Sequence, residues 1–373
     1  MTTVAIVAQI GLIAAAARAA VADGRMWHIG GTLVPFGVSY FAFHGISYVM
    51  DVYRGRVAAE HSLLRLSVYL VLLPQVAAGP VVYAGAAPQL TRRLPSVSDY
   101  SFGVRRMVIG LWKVFVMAAL AAVQADAVFA VRPERLSALA AWIGLASFTL
   151  QIYYTFSGYA DMAVGLARMF GIRLPENFRW PLAAESIREF WRRWHVGLSS
   201  WFRAYGIGAE ALPALLCGLW YGVAWAFVIW GVYHALLIVV ERSGFETVLK
   251  RLPKAFRHAY LLLAASLGWL LLRSATPVDA WAHARALAGI HPAVQRASLT
   301  FGYDAWLTLA AGALGCAPLA PMIRRWTVAI DALIIAGLML FLASVLFTWR
   351  GVRMMTDLAI RFWRGTPGPA RRS

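Results

Sequence analysis

Apolar runs of about 20 residues, repeatedly cut by clusters of arginine and lysine, constrain this chain more than any other feature. They fall at Val4–Val21, Ile29–Val49, Leu63–Ala84, Met107–Val131, Leu136–Tyr154, Leu212–Val240, Tyr260–Leu272, Tyr303–Leu319 and Val328–Phe347. A backbone in lipid must satisfy its own polar groups, so runs of this length read as transmembrane helices. The expectation is an all-α, multi-pass protein with about nine spans plus interfacial or re-entrant helices. Pro35, Pro74 and Pro80 lie inside such runs and point to kinks or re-entrant pieces. Of the 373 residues, 61% are hydrophobic and 14% charged, and mean hydropathy is +0.64. A soluble domain averages about 25% charged. Sixteen Trp and fourteen Tyr suit aromatic belts.

The net charge is +18. In a soluble chain that surplus would suggest nucleic acid. Here the cations lie between apolar runs, so they read as cytoplasmic loops against anionic lipid, with no nucleic-acid partner. The groups are Arg92–Arg106, Arg168–Arg203, Arg242–Arg257, Arg324–Arg325 and the tail after Arg350. The N-terminal run is apolar without a basic leader and reads as a retained span interrupted by Arg18. Residues 1–364 read as one membrane domain and 365–373 as a basic, disordered tail. Cys217 and Cys316 give neither metal spacing nor a disulfide framework and read as buried thiols. No metal site is expected.

Pro175–Tyr205, PENFRWPLAAESIREFWRRWHVGLSSWFRAY, holds the chemistry. Wound as one helix, Glu185–Phe202 puts Ile187, Phe190, Trp191, Trp194, Leu198, Trp201 and Phe202 on one arc, with Arg188, Arg192, Ser199 and Arg203 on another. His195 falls at the border. That pattern fits a helix in the membrane interface, a helix lining a pocket, or a surface helix anchored by snorkelling arginines. A helix with this basic face is not expected to span the bilayer.

Two further ionisable residues lie in apolar runs. His234, in a Trp-rich run, is a functional candidate by its depth, or a neutral imidazole bonded across helices. Asp161 stands seven residues before Arg168, and pairing with that arginine is the simplest account. His44 reads as a buried polar contact. His28, His61, His258, His283 and His291 read as structural residues at loops or termini.

LLPQVAAGPVVYAGAAPQL, FSGYADMAVGLARMFGIRLPENFRWP, SIREFWRRWHVGLSSWFR and GLWYGVAWAFVIWGVYHALL follow one another in an order that resembles the membrane-bound O-acyltransferase (MBOAT) family. The resemblance runs from Val34 to Gly289. It is nearest to bacterial members that O-acetylate alginate and related polysaccharides or D-alanylate teichoic acids. It implies a multi-span protein of the bacterial cytoplasmic membrane with a central funnel. An acyl donor, acyl-CoA or an acyl carrier, would enter from the cytoplasm as substrate, with no bound cofactor. The acceptor would be a hydroxyl of an extracytoplasmic polysaccharide or carrier. Partners would be membrane lipid and an extracytoplasmic acyltransferase or glycan-synthesis protein.

In the family pattern the histidines of RRWH and GLWHG line the reaction centre, and the second is taken as the base. Here His195 fills the first position, and Tyr221 of GLWYG stands at the second. The resemblance therefore nominates His195 and Tyr221 as catalytic, and Asp161, Asn177, Trp191, Arg192, Trp194, Trp220 and His234 as site lining. A tyrosine, with pKa near 10, is a poor base but a good donor, which suggests His195 as base and Tyr221 as oxyanion donor. In one continuous helix Tyr221 and His234 would point roughly 140° apart, so His234 is not expected to substitute for the missing histidine. The other readings are a silent homologue that scaffolds a glycan-modification complex, and a transporter. Against the transporter, polar residues concentrate in one segment instead of recurring in paired broken helices.

Overall fold

The computed structural model describes residues 28–29, 32–33, 38–72, 74, 83–90, 95–206, 210–221, 225–274, 276–290, 299 and 301–316. The expected spans Val4–Val21 and Val328–Phe347, the cations Arg324–Arg325, His291 and the tail lie outside them. The described chain is helical, apart from a two-residue antiparallel pair, His28–Ile29 (β1) with Thr32–Leu33 (β2). The helices are α1 (Val38–Tyr53), α2 (Leu63–Leu70), α3 (Tyr83–Leu90), α4 (Val97–Phe129), α5 (Ala138–Met169), α6 (Ile187–Arg193) and α7 (Val196–Ala204). They continue as α8 (Leu212–Tyr221), α9 (Trp225–Arg251), α10 (Lys254–Arg273), α11 (Pro277–Leu287) and α12 (Tyr303–Gly315).

Among the described residues four helices, α4, α5, α9 and α10, are long and apolar enough to cross a membrane. Two expected spans break. Among its described residues Leu63–Ala84 is not one helix: α2 ends at Leu70, where Val71 leaves helical geometry (φ −102°, ψ 11°), and α3 starts at Tyr83. Leu212–Val240 is not one helix. α8 ends at Tyr221 and α9 starts at Trp225, and the two pack together. Glycine permits the contact: a Cβ on Gly218 would lie 2.5 Å from the Phe227 carbonyl oxygen and 2.9 Å from Gly231 Cα.

α4 and α5 form the long central pair, each started by a serine cap, Ser96 onto Asp99 N and Ser137 onto Ala140 N. Their seam is built on glycines spaced by a heptad in both helices. Gly103 faces Gly165, and Gly110 faces Gly158. A Cβ on any of the four would lie 2.6–2.8 Å from the opposing carbonyl oxygen. Small residues let helix backbones approach where lipid supplies no hydrophobic drive.

The same seam carries charge. Asp161 pairs with Arg106 at 2.7 Å and Lys113 at 2.6 Å. Arg168 bonds Asp99 instead (2.6 Å), so the expected Asp161–Arg168 pair does not form. Seven residues along a helix separate the two by about 10.5 Å of rise, while the neighbouring helix brings cations directly opposite. Lys113 opens a π-helical stretch, Lys113–Ala118, and also donates to Ser157 Oγ at 2.7 Å.

Cys217 and Cys316 are free and buried. His44 is buried as expected, within 3.2 Å of the Leu70 carbonyl oxygen. His283, expected in a loop, is buried on α11 against Phe129.

Candidate active site

The expected single helix Glu185–Phe202 is two helices meeting at a sharp break. α6 begins with Ser186 Oγ accepting from Glu189 N, and its first amides are taken by Glu241. It ends where Trp194 turns extended (φ −99°, ψ 131°). His195 then takes a left-handed conformation (φ 46°, ψ 50°) and starts α7. Asn177 explains the break. Its carbonyl oxygen accepts from Val196 N at 3.0 Å, and its Oδ1 accepts from Gly197 N at 2.9 Å. Arg179 N also donates to the Arg193 carbonyl oxygen at 2.9 Å. These bonds tie the turn to the PENFRW segment and offset the strain of positive φ at a non-glycine residue. A wheel drawn through 18 residues could not anticipate this, because the competing acceptor lies 18 positions upstream of the histidine.

The break presents His195 to an aromatic enclosure. Its ring lies 5.0 Å from Phe178, 5.5 Å from Phe156, 5.7 Å from Trp194 and 6.0 Å from Tyr221. Asn177 Nδ2 lies 3.4 Å from His195 Nδ1. With Oδ1 engaged by Gly197, the amide nitrogen faces the ring. Burial pushes the imidazole down to about 3, so it is neutral at physiological pH.

Tyr221 reaches the same enclosure from the end of α8, 5.8 Å from Phe156 and 5.5 Å from Trp230. The helix break removes the premise of the 140° separation between Tyr221 and His234. Trp230 contacts both, lying 4.6 Å from the fully buried His234 ring. His234 Nδ1 bonds the Trp230 carbonyl oxygen at 3.0 Å, and Nε2 has no hydrogen-bond partner among the described residues. Trp191 (5.7 Å), Phe190 (6.4 Å) and Trp269 (6.3 Å) close around it. Gly268 makes room, since a Cβ there would lie 2.4 Å from the ring.

The other nominated residues separate. Trp191 and Trp194 are buried between the two histidines. Arg192 is exposed and pairs with Glu210 at 3.3 Å, so it does not line the enclosure. Asp161 lies in the α4–α5 seam, linked through Arg106 to Glu176, the neighbour of Asn177. The Trp220 side chain lies outside the described residues. Sequence reasoning missed Phe156, Phe178 and Glu241. Glu241 alone carried a signal, as an acid at the end of an apolar run. Among the described residues no group of three or more His, Cys, Asp or Glu could hold a metal ion.

Residues 27–205 match the MBOAT, membrane-bound O-acyltransferase, family model. The chain belongs to this family. It is 36% identical to the probable alginate O-acetylase AlgI of Pseudomonas aeruginosa over 265 residues, covering 67% of this chain and 50% of that protein. It is 29% identical to a peptidoglycan O-acetyltransferase of Helicobacter pylori (65% and 54% covered). It is 27% identical to a teichoic acid D-alanyltransferase of Bacillus subtilis (54% and 57%). The chain spans about half the length of the curated relatives it matches. Family and apolar helices together make it a membrane protein.

Proposed function

We propose that the protein transfers a short acyl group, acetyl first among candidates, from a cytoplasmic thioester to a hydroxyl of an extracytoplasmic polysaccharide or carrier. The donor class is acyl-CoA or an acyl carrier, and the location is the bacterial inner membrane. The observation that carries the reading is the convergence of His195 and Tyr221, from different helices, on one enclosure. The names of the relatives, two O-acetyl and one D-alanyl transferase, support this substrate class. An extracytoplasmic acyltransferase or glycan-synthesis protein would carry the product forward.

Acyl transfer to a hydroxyl needs an acceptor for its proton and a donor for the developing oxyanion. His195, neutral through burial, takes the proton in the leading reading. The Tyr221 hydroxyl donates to the oxyanion, inside an aromatic enclosure of low polarity where such bonds are strong.

A second reading reverses the part played by His195, and Asn177 favours it. The Asn177 Oδ1 is committed to Gly197 N–H, so the Nδ2 facing His195 can only donate. A neutral ring accepting at Nδ1 carries its proton on Nε2. His195 would then polarise the thioester carbonyl as a donor.

The experiment is acyl transfer by purified protein with labelled donors. His195→Ala should cost about 10²–10⁴-fold in either reading. His195→Gln separates them: glutamine donates an N–H but is no base. Activity kept by His195→Gln favours the donor role, and activity lost favours the base. In both readings Tyr221→Phe lowers kcat. No turnover by wild type with any donor, and none gained by Tyr221→His, would overturn the enzyme reading and leave a scaffold or a transporter.

A further inference from the structure

Glu241 lies where α9 leaves its straight apolar run, in the turn Glu241–Phe245 before Gly244 bends the chain (φ 128°). It is wholly buried. Its carboxylate accepts from Ile187 N at 2.7 Å, Arg188 N at 2.9 Å and the Tyr260 hydroxyl at 3.0 Å. A buried carboxylate is costly unless donors surround it, and here three do. Two of them are first-turn amides of α6, groups with no intrahelical partner and at the positive end of the helix dipole.

α6 has seven residues, too few to hold a helix unaided. Its far end runs directly through Trp194 into His195. Tyr221 ends α8, which is packed on α9 through Gly218 and Gly231. The helix α9 therefore holds one half of the site by close packing. It holds the other half through the Glu241 carboxylate on the α6 amides, the Arg188–Glu246 ion pair and the rings of Trp230 and His234 against Trp191 and Phe190.

We propose that Glu241 is a positioning residue that, by anchoring α6 to α9, sets the separation of His195 from Tyr221. This rests on the acyl-transfer reading of the site. A replacement that keeps volume but loses one acceptor lets the α6 amides drift. His195 moves with them while Tyr221 stays. Tyr260→Phe leaves both amide bonds in place and is the milder change.

Two measurements test this. In kinetics, Glu241→Gln should lower kcat about 10²-fold, the cost of an ångström-scale misplacement, with donor KM unchanged. Tyr260→Phe should lose far less. In the second measurement, nitroxide labels on Arg192→Cys (α6) and Leu219→Cys (α8) report the interhelix distance by electron paramagnetic resonance. Arg192 and Leu219 are exposed, and the native cysteines are buried. The distance distribution should broaden or shift in Glu241→Gln. Glu241→Asp, which keeps the charge but is one methylene shorter, should shift it too, and it serves if the glutamine variant does not fold. A distribution that superimposes on the parent's, or a wild-type kcat per folded molecule, overturns the proposal. If the wild type shows no turnover, the acyl-transfer reading fails, while the label distances still decide whether Glu241 positions α6.

Discussion

At the residue scale, the environment of His195 has a consequence for pH. Phe156, Phe178, Trp194 and Tyr221 surround the ring, and burial lowers its pKa to about 3 from the usual 6.5. Above pH 6.5 the ring is neutral in both folded and unfolded chains, so this group does not oppose folding. Between 6.5 and 3 the unfolded chain binds a proton that the folded one refuses, so stability falls as pH falls. The thermal midpoint in detergent should drop from pH 7 to pH 5, and His195→Gln should remove part of that slope. An unchanged slope in the variant would place the imidazole in contact with water. In the base reading the acid limb of kcat/KM should also lie below pH 6.5, since a depressed pKa keeps the base unprotonated further into acid.

At the element scale, the glycine seam of α4 and α5 sets how close two charged helices can run. A Cβ on Gly158 would lie 2.7 Å from Val114 Cγ2 and 2.8 Å from the Gly110 carbonyl oxygen. The backbone cannot yield as a flexible side chain would, so Gly158→Val should destabilise by about 1–3 kcal/mol. It should also pry Lys113 from Ser157 and Asp161. Gly85→Ala, where a Cβ meets nothing within 4 Å, is the control and should change little. Denaturation midpoints of both variants check this, and equal midpoints would contradict the close packing. The heptad glycines were in plain view in the sequence, yet nothing in it said that the two sets oppose one another.

At the scale of the whole molecule, ion pairs other than those of Asp161 in the α4–α5 seam gather toward the two ends of the bundle. Asp99 at the start of α4 bonds Arg168 at the end of α5. Glu185 bonds Arg257 at 2.7 Å and Lys254 at 3.6 Å, and Arg188 bonds Glu246. The site segment thus shares one end with the cation group Arg242–Arg257. The opposite end holds Arg273 paired with Asp126 at 2.5 Å, beside the short connection through Arg132. By the positive-inside rule the cation-dense end is expected to face the cytoplasm. Cysteines at exposed Lys250 and Arg173 should resist a membrane-impermeant maleimide applied to intact cells, and one at Arg132 should react. Labelling of all three from outside, or of Lys250 alone, would reverse or break this orientation.

What the sequence determined by itself was the environment and the family. Continuous apolar runs of this length read as helices in lipid, because only a helix satisfies its backbone hydrogen bonds within one segment, and that holds before any contact is known. FSGYADMA through WFR was enough to identify the family, and His195 and Tyr221 stood out within it. Only the tertiary structure decided how these residues meet. Asn177 breaks a helix that periodicity draws as continuous, since a local wheel cannot count an acceptor from the segment upstream of it. Lys113 and Arg106 outcompete Arg168 for Asp161, since a neighbouring helix offers shorter distances than two turns of the same one. Glu241 joins α9 to α6 across 54 residues, a link set by packing and invisible to spacing.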